Sequence, residues 1–205
     1  LLDDQGGLFA EATAIFVTLD PERFGPLLER VASLMVLATE RLSIRRLSVD
    51  DALLMLRILN EPSFLKNIGD KGVRTLADAR AYILGGPIAS YEKLGFGMWL
   101  VEMKDSGVPI GICGLLKRDA LEDVDIGYAL LPEFWSRGYA LEAASAVLSY
   151  ARETLGLTRV VAITNVDNQS SIRLLEKIGF VYEKKIRLAE GAPEINLFGF
   201  DLASI

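Results

Sequence analysis

Apolar and polar positions alternate or recur in short blocks along the chain, and the spacing changes from block to block. Residues 8–19 form an apolar run rich in β-branched and aromatic side chains, which predicts a strand. Asp20-Pro21-Glu22 then opens a helix that Gly25-Pro26 interrupts. From Met35 the text changes character. Residues 41–47 read as a short strand. Ser48-Val-Asp-Asp51 is a capping-box variant, opening a helix that carries Leu53, Leu54, Leu56 and Leu59 and stops at Asn60-Glu61-Pro62. Thr75-Leu-Ala-Asp78 opens a second helix in the same way. Gly85-Gly86-Pro87 breaks or kinks it before it resumes toward Tyr91. Phe96–Lys104 and Pro109–Lys117 are strands joined by the hairpin signal Asp105-Ser-Gly107.

A third strand, Val124–Leu131, ends at Pro132, which holds the residue before it extended. Residues 139–154 follow with Ala143, Ala144, Val147, Leu148 and Ala151 at helical spacing. Thr158–Thr164 is apolar on both faces, as a buried parallel strand would be. Asn168–Lys177 is a short helix closed by Gly179, and Val181–Lys185 and Glu194–Leu202 are final strands. Strands and helices in this order predict an α/β fold (α+β mixed) with a mixed sheet. The division is an N-terminal appendage over 1–34 and one domain over 35–205. The first residue is Leu rather than Met, which reads as a processed, trimmed or partial chain, and Met35 is a candidate start.

Composition narrows the chemistry. The chain of 205 residues is 51% apolar and 24% charged, the profile of a soluble globular protein. No apolar run approaches the roughly 20 residues of a membrane helix. Asp3 and Asp4 stand where a secretory signal would be basic. One cysteine cannot form an internal disulfide and fits a reducing cytoplasm. The net charge of −6, without a basic block, argues against nucleic acid and suits a cationic partner. Histidine is absent, which removes Ser-His-Asp and Cys-His catalysis and the commonest zinc ligand, so no metal is expected. Acid–base work falls to Asp, Glu, Lys, Tyr, Ser or Cys113, and Cys113, in the run Ile110-Gly-Ile-Cys-Gly-Leu-Leu116, reads as a core thiol.

The strand Asp125-Ile-Gly-Tyr-Ala-Leu-Leu131 runs through Pro-Glu-Phe-Trp-Ser-Arg-Gly-Tyr-Ala140 into a helix. A helix N-terminus offers free N–H groups and a partial positive charge. Gly138 admits close approach of a ligand, Ala140 keeps the next position small, and Arg137 adds a cation. This is what a diphosphate needs. The segment is not a Walker loop, and Gly95-Phe-Gly97 fails as a dinucleotide fingerprint because Leu100 occupies the third glycine's place.

A second constellation follows the next strand: Asn168-Gln-Ser-Ser-Ile-Arg-Leu-Leu-Glu-Lys-Ile-Gly-Phe180. Together the two resemble the GNAT superfamily, whose phosphate loop reads Gln/Arg-x-x-Gly-x-Gly/Ala and whose later helix carries Asn-x-x-Ala/Ser and then Lys-x-Gly-Phe. The resemblance covers about residues 35–203. It is strongest to the RimJ/RimL-like branch, through Ala38-Thr-Glu-Arg-Leu-Ser-Ile-Arg45, Asp125-Ile-Gly-Tyr128, Phe134-Trp-Ser-Arg-Gly-Tyr-Ala-Leu-Glu-Ala143 and Asn168-Gln-Ser-Ser171. Trp135 replaces the superfamily's Gln/Arg, and Leu175 stands where many members have a tyrosine acid. Residues 1–34 faintly resemble the end of a hotdog-fold thioesterase.

The resemblance implies a mostly antiparallel sheet with a central splayed parallel pair flanked by helices. It implies a cytoplasmic N-acetyltransferase, monomeric or homodimeric, moving acetyl from acetyl-CoA to a primary amine by direct attack. The rival reading is a non-catalytic acyl-CoA-binding or regulatory module on the same fold. The implied cofactor-binding residues are Ala129, Leu130, Leu131, Ser136, Arg137, Gly138, Tyr139, Ala140, Asn165, Asn168 and Ser171. The implied oxyanion donor is the backbone N–H of Leu130 or Leu131, with Leu131 assigned, against a reading in which both amides are paired in the sheet. Ser171 is the acid candidate, against a helix-face serine bonded to its own backbone. Asn168 contacts pantetheine, caps its helix, or does both. Glu190 is the base candidate, against a solvated loop carboxylate. Asp123 and Asp125 share a strand face and either relay a proton or form a solvated edge. Tyr91 and Trp99 line an acceptor pocket or the core.

Overall fold

The computed structural model describes residues 34–204, so the strand and helix expected before Met35 lie outside the described residues. Within them the chain builds one eight-stranded sheet in the order β1-β2-β3-β4-β5-β6-β8-β7. The strands are β1 Met35–Ala38, β2 Leu42–Arg46, β3 Met98–Met103, β4 Pro109–Leu116, β5 Asp125–Leu130, β6 Arg159–Asn165, β7 Val181–Ile186 and β8 Ile195–Asp201. Every neighbouring pair is antiparallel except β5 and β6. The helices are α1 Ala52–Leu59, α2 Pro62–Asn67, α3 Leu76–Ile83, α4 Ala89–Leu94, α5 Tyr139–Glu153 and α6 Gln169–Ile178.

Local chemistry accounts for the boundaries. Both capping boxes form. The Ser48 N–H donates to Asp51 Oδ2 at 2.8 Å, and at α3 the Thr75 N–H donates to Asp78 Oδ2 at 2.9 Å while the Asp78 N–H donates back to Thr75 Oγ1 at 3.1 Å. Gly85-Gly86-Pro87 does not break its helix. The turn widens to a π-helix over Leu84–Ile88, which accommodates the proline, and α4 continues from it. Gly179 ends α6 with φ of 113°, the left-handed cap its sequence called for.

The two faces of the sheet bury different partners. On one, α5 packs its small stripe, Ala143, Ala144, Val147, Leu148 and Ala151, against Trp99, Cys113, Ile126, Val160 and Ala162. On the other, α1 and α3 pack Met55, Leu59, Ala79 and Ile83 against Leu100, Ile112 and Leu131. Alternation along β5 therefore sends Ile126, Tyr128 and Leu130 to the α5 face and Ala129 and Leu131 to the α1–α3 face.

Trp99 and Tyr91 belong to this core. Trp99 is 1% exposed and meets Tyr150 edge-to-face at 5.3 Å. The Tyr91 hydroxyl accepts from the Leu47 N–H at 3.1 Å and donates to Met98 O. Cys113 is wholly buried, and burial pushes its thiol up to about 12, outweighing a backbone hydrogen bond that lowers it. The thiolate is the reactive form, so we expect the folded chain to show no labelling by an aromatic disulfide at pH 8 and full labelling once unfolded. Rapid labelling of the native chain would contradict the packing.

Candidate active site

The parallel pair carries the opening. Only Asp125 and Val161 are registered between β5 and β6, with the Val161 N–H donating to Val124 O at 2.9 Å. Beyond that pair, β5 stays with β4 as far as Leu130 and β6 stays with β8 as far as Asn165, so the two strands diverge toward their C-terminal ends. Gly111 lets β4 lie close under the end of β5: a Cβ there would stand 2.4 Å from Ala129 O.

Hydrogen-bond alternation decides between the two amides named from the sequence. The Leu131 N–H donates to Ile110 O at 2.9 Å, so it is consumed on the β4 side and the expectation for Leu131 is corrected. In an antiparallel ladder the next residue's groups point the other way. The Leu130 N–H therefore faces the gap, where no strand is registered against it. Its carbonyl, on the same side, accepts from Trp135 Nε1 at 2.7 Å.

After β5 a 3-10 turn over Pro132–Phe134 leads into the loop before α5. Ser136 and Gly138 both take left-handed backbone, with φ of 58° and 81°. A non-glycine residue in that region is uncommon and is retained where the loop geometry demands it. Glu142 N–H is the first to close a helical bond, onto Gly138 O at 3.0 Å. The amides of Tyr139, Ala140 and Leu141 therefore have no partner within the helix.

Glu142 would place a repelling carboxylate beside an anion here. Arg41, from the turn between β1 and β2, removes that conflict: its Nε and Nη2 reach Glu142 Oε2 at 2.7 and 2.6 Å, and its Nη1 donates to Arg137 O at 3.1 Å. Burial raises the Glu142 pKa, but the bonds from Thr39 and Arg41 outweigh it and leave the carboxyl below its ordinary value. Arg41 also lies over the Tyr139 ring, 4.6 Å from its centre. No spacing in the sequence announces this clamp, because Arg41 and Glu142 are 101 positions apart, although both sit within stretches that carry the resemblance.

Across the gap, Asn168 caps α6 by accepting from the Ser171 N–H at 3.2 Å. Ser171 Oγ lies 2.7 Å from the Tyr128 hydroxyl. Tyr128 is the functional candidate that residue-by-residue reading missed. Burial pushes it up to about 12 against the lowering effect of the Ser171 bond, so it remains a neutral phenol. The Asn165 amide is committed to Lys66 O at 3.2 Å. Glu190 is exposed in the turn between β7 and β8, at the same end of the sheet as Asn165, since Ile195 pairs with both Ile186 and Asn165. No hydrogen bond joins Glu190 to Ser171 among the described residues. Asp125 is neither a solvated edge nor near the diverging ends: it is buried and receives Arg118 Nε at 3.0 and 3.1 Å. Asp123 pairs with Arg159 at 2.9 Å.

A mostly antiparallel sheet with one parallel pair, flanked by helices, is the fold that the acyltransferase resemblance implied. The acetyltransferase (GNAT) domain family matches residues 41–181. The chain belongs to the GNAT family. This GNAT chain is an N-acetyltransferase by its relatives as well. It is similar to an uncharacterized N-acetyltransferase, YoaA of Bacillus subtilis, at 31% identity over 153 residues, 74% of this chain and 86% of that protein. Among solved structures it is similar to an acetyltransferase from Agrobacterium tumefaciens, with TM-score 0.68 and 26% identity over 80% of this chain and 92% of that one. It shares the fold of RimL, the ribosomal L7/L12 alpha-N-protein acetyltransferase, in complex with coenzyme A: TM-score 0.70 and 19% identity over 82% and 97% of the two chains. The fold shared with RimL is the one that the resemblance implied. No helix among the described residues is long and apolar enough to cross a membrane.

Proposed function

We propose that this GNAT protein moves acetyl from acetyl-CoA to a primary amine, on a protein N-terminus or a small molecule, by direct attack. The observation that carries the reading is the pairing of an open α5 N-terminus with a Leu130 N–H turned into the gap. The amides of residues 139–141 and Arg137 receive the diphosphate, and the left-handed Gly138 keeps a side chain out of its approach. The Leu130 N–H donates to the oxygen on which negative charge develops. Tyr128, held by Ser171, supplies the proton or hydrogen bond that the departing thiolate requires.

The amine must also lose a proton, since an α-amino group of pKa about 8 is mostly charged at neutral pH. Glu190 is assigned that role from its turn at the mouth-side end of the sheet. Free-thiol release from acetyl-CoA over a panel of amines tests the reaction, and inactivity with every amine despite tight acetyl-CoA binding would refute it. Glu190→Gln is expected to move the pH–rate profile of kcat/KM toward higher pH, because proton removal then depends on water. A profile superimposable on the parent's would remove Glu190 from the mechanism.

A further inference from the structure

Leu130 turns both of its backbone groups toward the gap, and only one of them helps the reaction proposed above. Its N–H faces the diverging side, where no strand is registered against it. In an extended strand the carbonyl of the same residue points the same way. A bare carbonyl oxygen beside that amide would repel the negative charge that the amide is there to receive. Trp135 takes up this oxygen: its indole Nε1 donates to Leu130 O at 2.7 Å.

The same contact fixes the aim of the amide. The peptide joining Leu130 to Leu131 is held on both sides: its N–H donates to Ile110 O at 2.9 Å on the β4 side, and its carbonyl accepts from the indole on the gap side. Strand β4 backs Leu130 closely, since a Cβ on Gly111 would stand 2.7 Å from Leu130 Cα. Pro132 keeps Leu131 extended, with ψ of 142°. The loop that brings the indole back is itself braced. The Phe134 N–H donates to Leu131 O at 3.0 Å, the Trp135 N–H donates to Pro132 O at 3.1 Å, and Glu133 pairs with Arg57 at 2.7 Å. Core packing does not account for the bond, because Trp135 is 47% exposed where Trp99 is 1% exposed. An exposed indole N–H has water available to it, and this one is committed to a strand carbonyl at the rim of the gap.

We infer that Trp135 is a positioning residue for acetyl transfer, aiming the Leu130 N–H and screening the carbonyl beside it. The inference deepens the transferase reading and rests on it. As the amine nitrogen bonds to the thioester carbon, the C=O electron pair moves onto oxygen. That pair returns as the C–S bond breaks and sulfur leaves with the bonding electrons. The oxygen is fully charged only between these two events, so the contribution of the indole falls on turnover rather than on cofactor affinity.

The test is Trp135→Phe in the full chain, which keeps an aromatic ring and removes the indole N–H. Its kcat is expected to fall about tenfold, less than the loss of a direct oxyanion donor would cost, with the KM for acetyl-CoA changed by less than about threefold. A second readout needs no turnover. In the chain loaded with carbonyl-labelled acetyl-CoA and no amine, the infrared stretch of the thioester carbonyl is expected at higher wavenumber in the variant than in the parent. The less well aimed Leu130 N–H then polarises that carbonyl less. Turnover within about twofold of the parent, a loss carried by KM with kcat kept, or an unmoved stretch would overturn the role of the indole and leave acetyl transfer standing. A parent that binds acetyl-CoA but releases no thiol with any amine would instead refute the transfer, and the infrared stretch would still decide whether the indole governs the Leu130 N–H.

Discussion

Tyr128→Phe is expected to lower kcat by about 100-fold, the lower end of what a positioned acid contributes, with the KM for acetyl-CoA changed by less than about threefold. The argument starts from the 2.7 Å contact between the Tyr128 hydroxyl and Ser171 Oγ. A hydroxyl pair of this kind passes a proton to a developing thiolate only if the phenol is neutral, and burial, pushing Tyr128 up to about 12, keeps it so throughout the working range. The sign matters for stability too. The folded value lies above the ordinary 10.0, so the folded chain holds this proton more tightly than the unfolded one, and stability falls as pH climbs from 10.0 toward about 12. Tyr128 therefore contributes no alkaline limb at neutral pH, whereas the amine and its base, which both act deprotonated, shape the acidic limb. Ser171→Ala is expected to reduce kcat less, because the phenol survives. If the two residues act as a unit, the double variant loses little beyond Tyr128→Phe alone. Turnover of Tyr128→Phe within about twofold of the parent would leave the pair as packing.

The fold was legible wherever a single local rule decided an element. Ser48 with Asp51 and Thr75 with Asp78 announced two helix starts, and Gly179 announced a helix end. Strand β1 and helix α2 carry no such signal: β1 is four residues long and lies at the sheet edge, and α2 begins at Pro62, the same proline that marks the end of α1. At the site, local reading reached the loop and the capped helix but not the contacts that make them work. Choosing between the Leu130 and Leu131 amides required knowing which side of β5 bonds to β4, and strand text does not encode that. Tyr128 and Ser171 are separated by 43 positions and Arg41 and Glu142 by 101, so neither pair leaves a spacing signal. Asp125 was misread because alternation gives the face of a strand but not the arginine waiting on it.

The largest expected effect is at Gly138. Gly138→Val is expected to weaken acetyl-CoA binding by at least about 100-fold, as the loss of two hydrogen bonds to a charged group would, while the fold survives. The backbone there has φ of 81°, a region that a β-branched residue enters only at a cost of about 1–2 kcal/mol. Two responses are open to the chain, and both harm the site. If φ is kept, the new Cβ lies 3.3 Å from Arg41 Nη2, pressing on the clamp that neutralises Glu142 and crowding the approach to the helix N-terminus. If φ relaxes, the first turn of α5 rotates and the amides of Tyr139, Ala140 and Leu141 no longer converge. Neither response reaches the α5 core stripe, which begins at Ala143, so the thermal midpoint should fall only by what about 1–2 kcal/mol removes. S-acetylpantetheine, which lacks the diphosphate, separates the effect from general damage: its binding should be nearly the same in parent and variant. An unchanged acetyl-CoA affinity in a folded Gly138→Val chain would place the diphosphate elsewhere. An equal loss for both ligands would mean that the substitution acts through the gap rather than through the helix N-terminus.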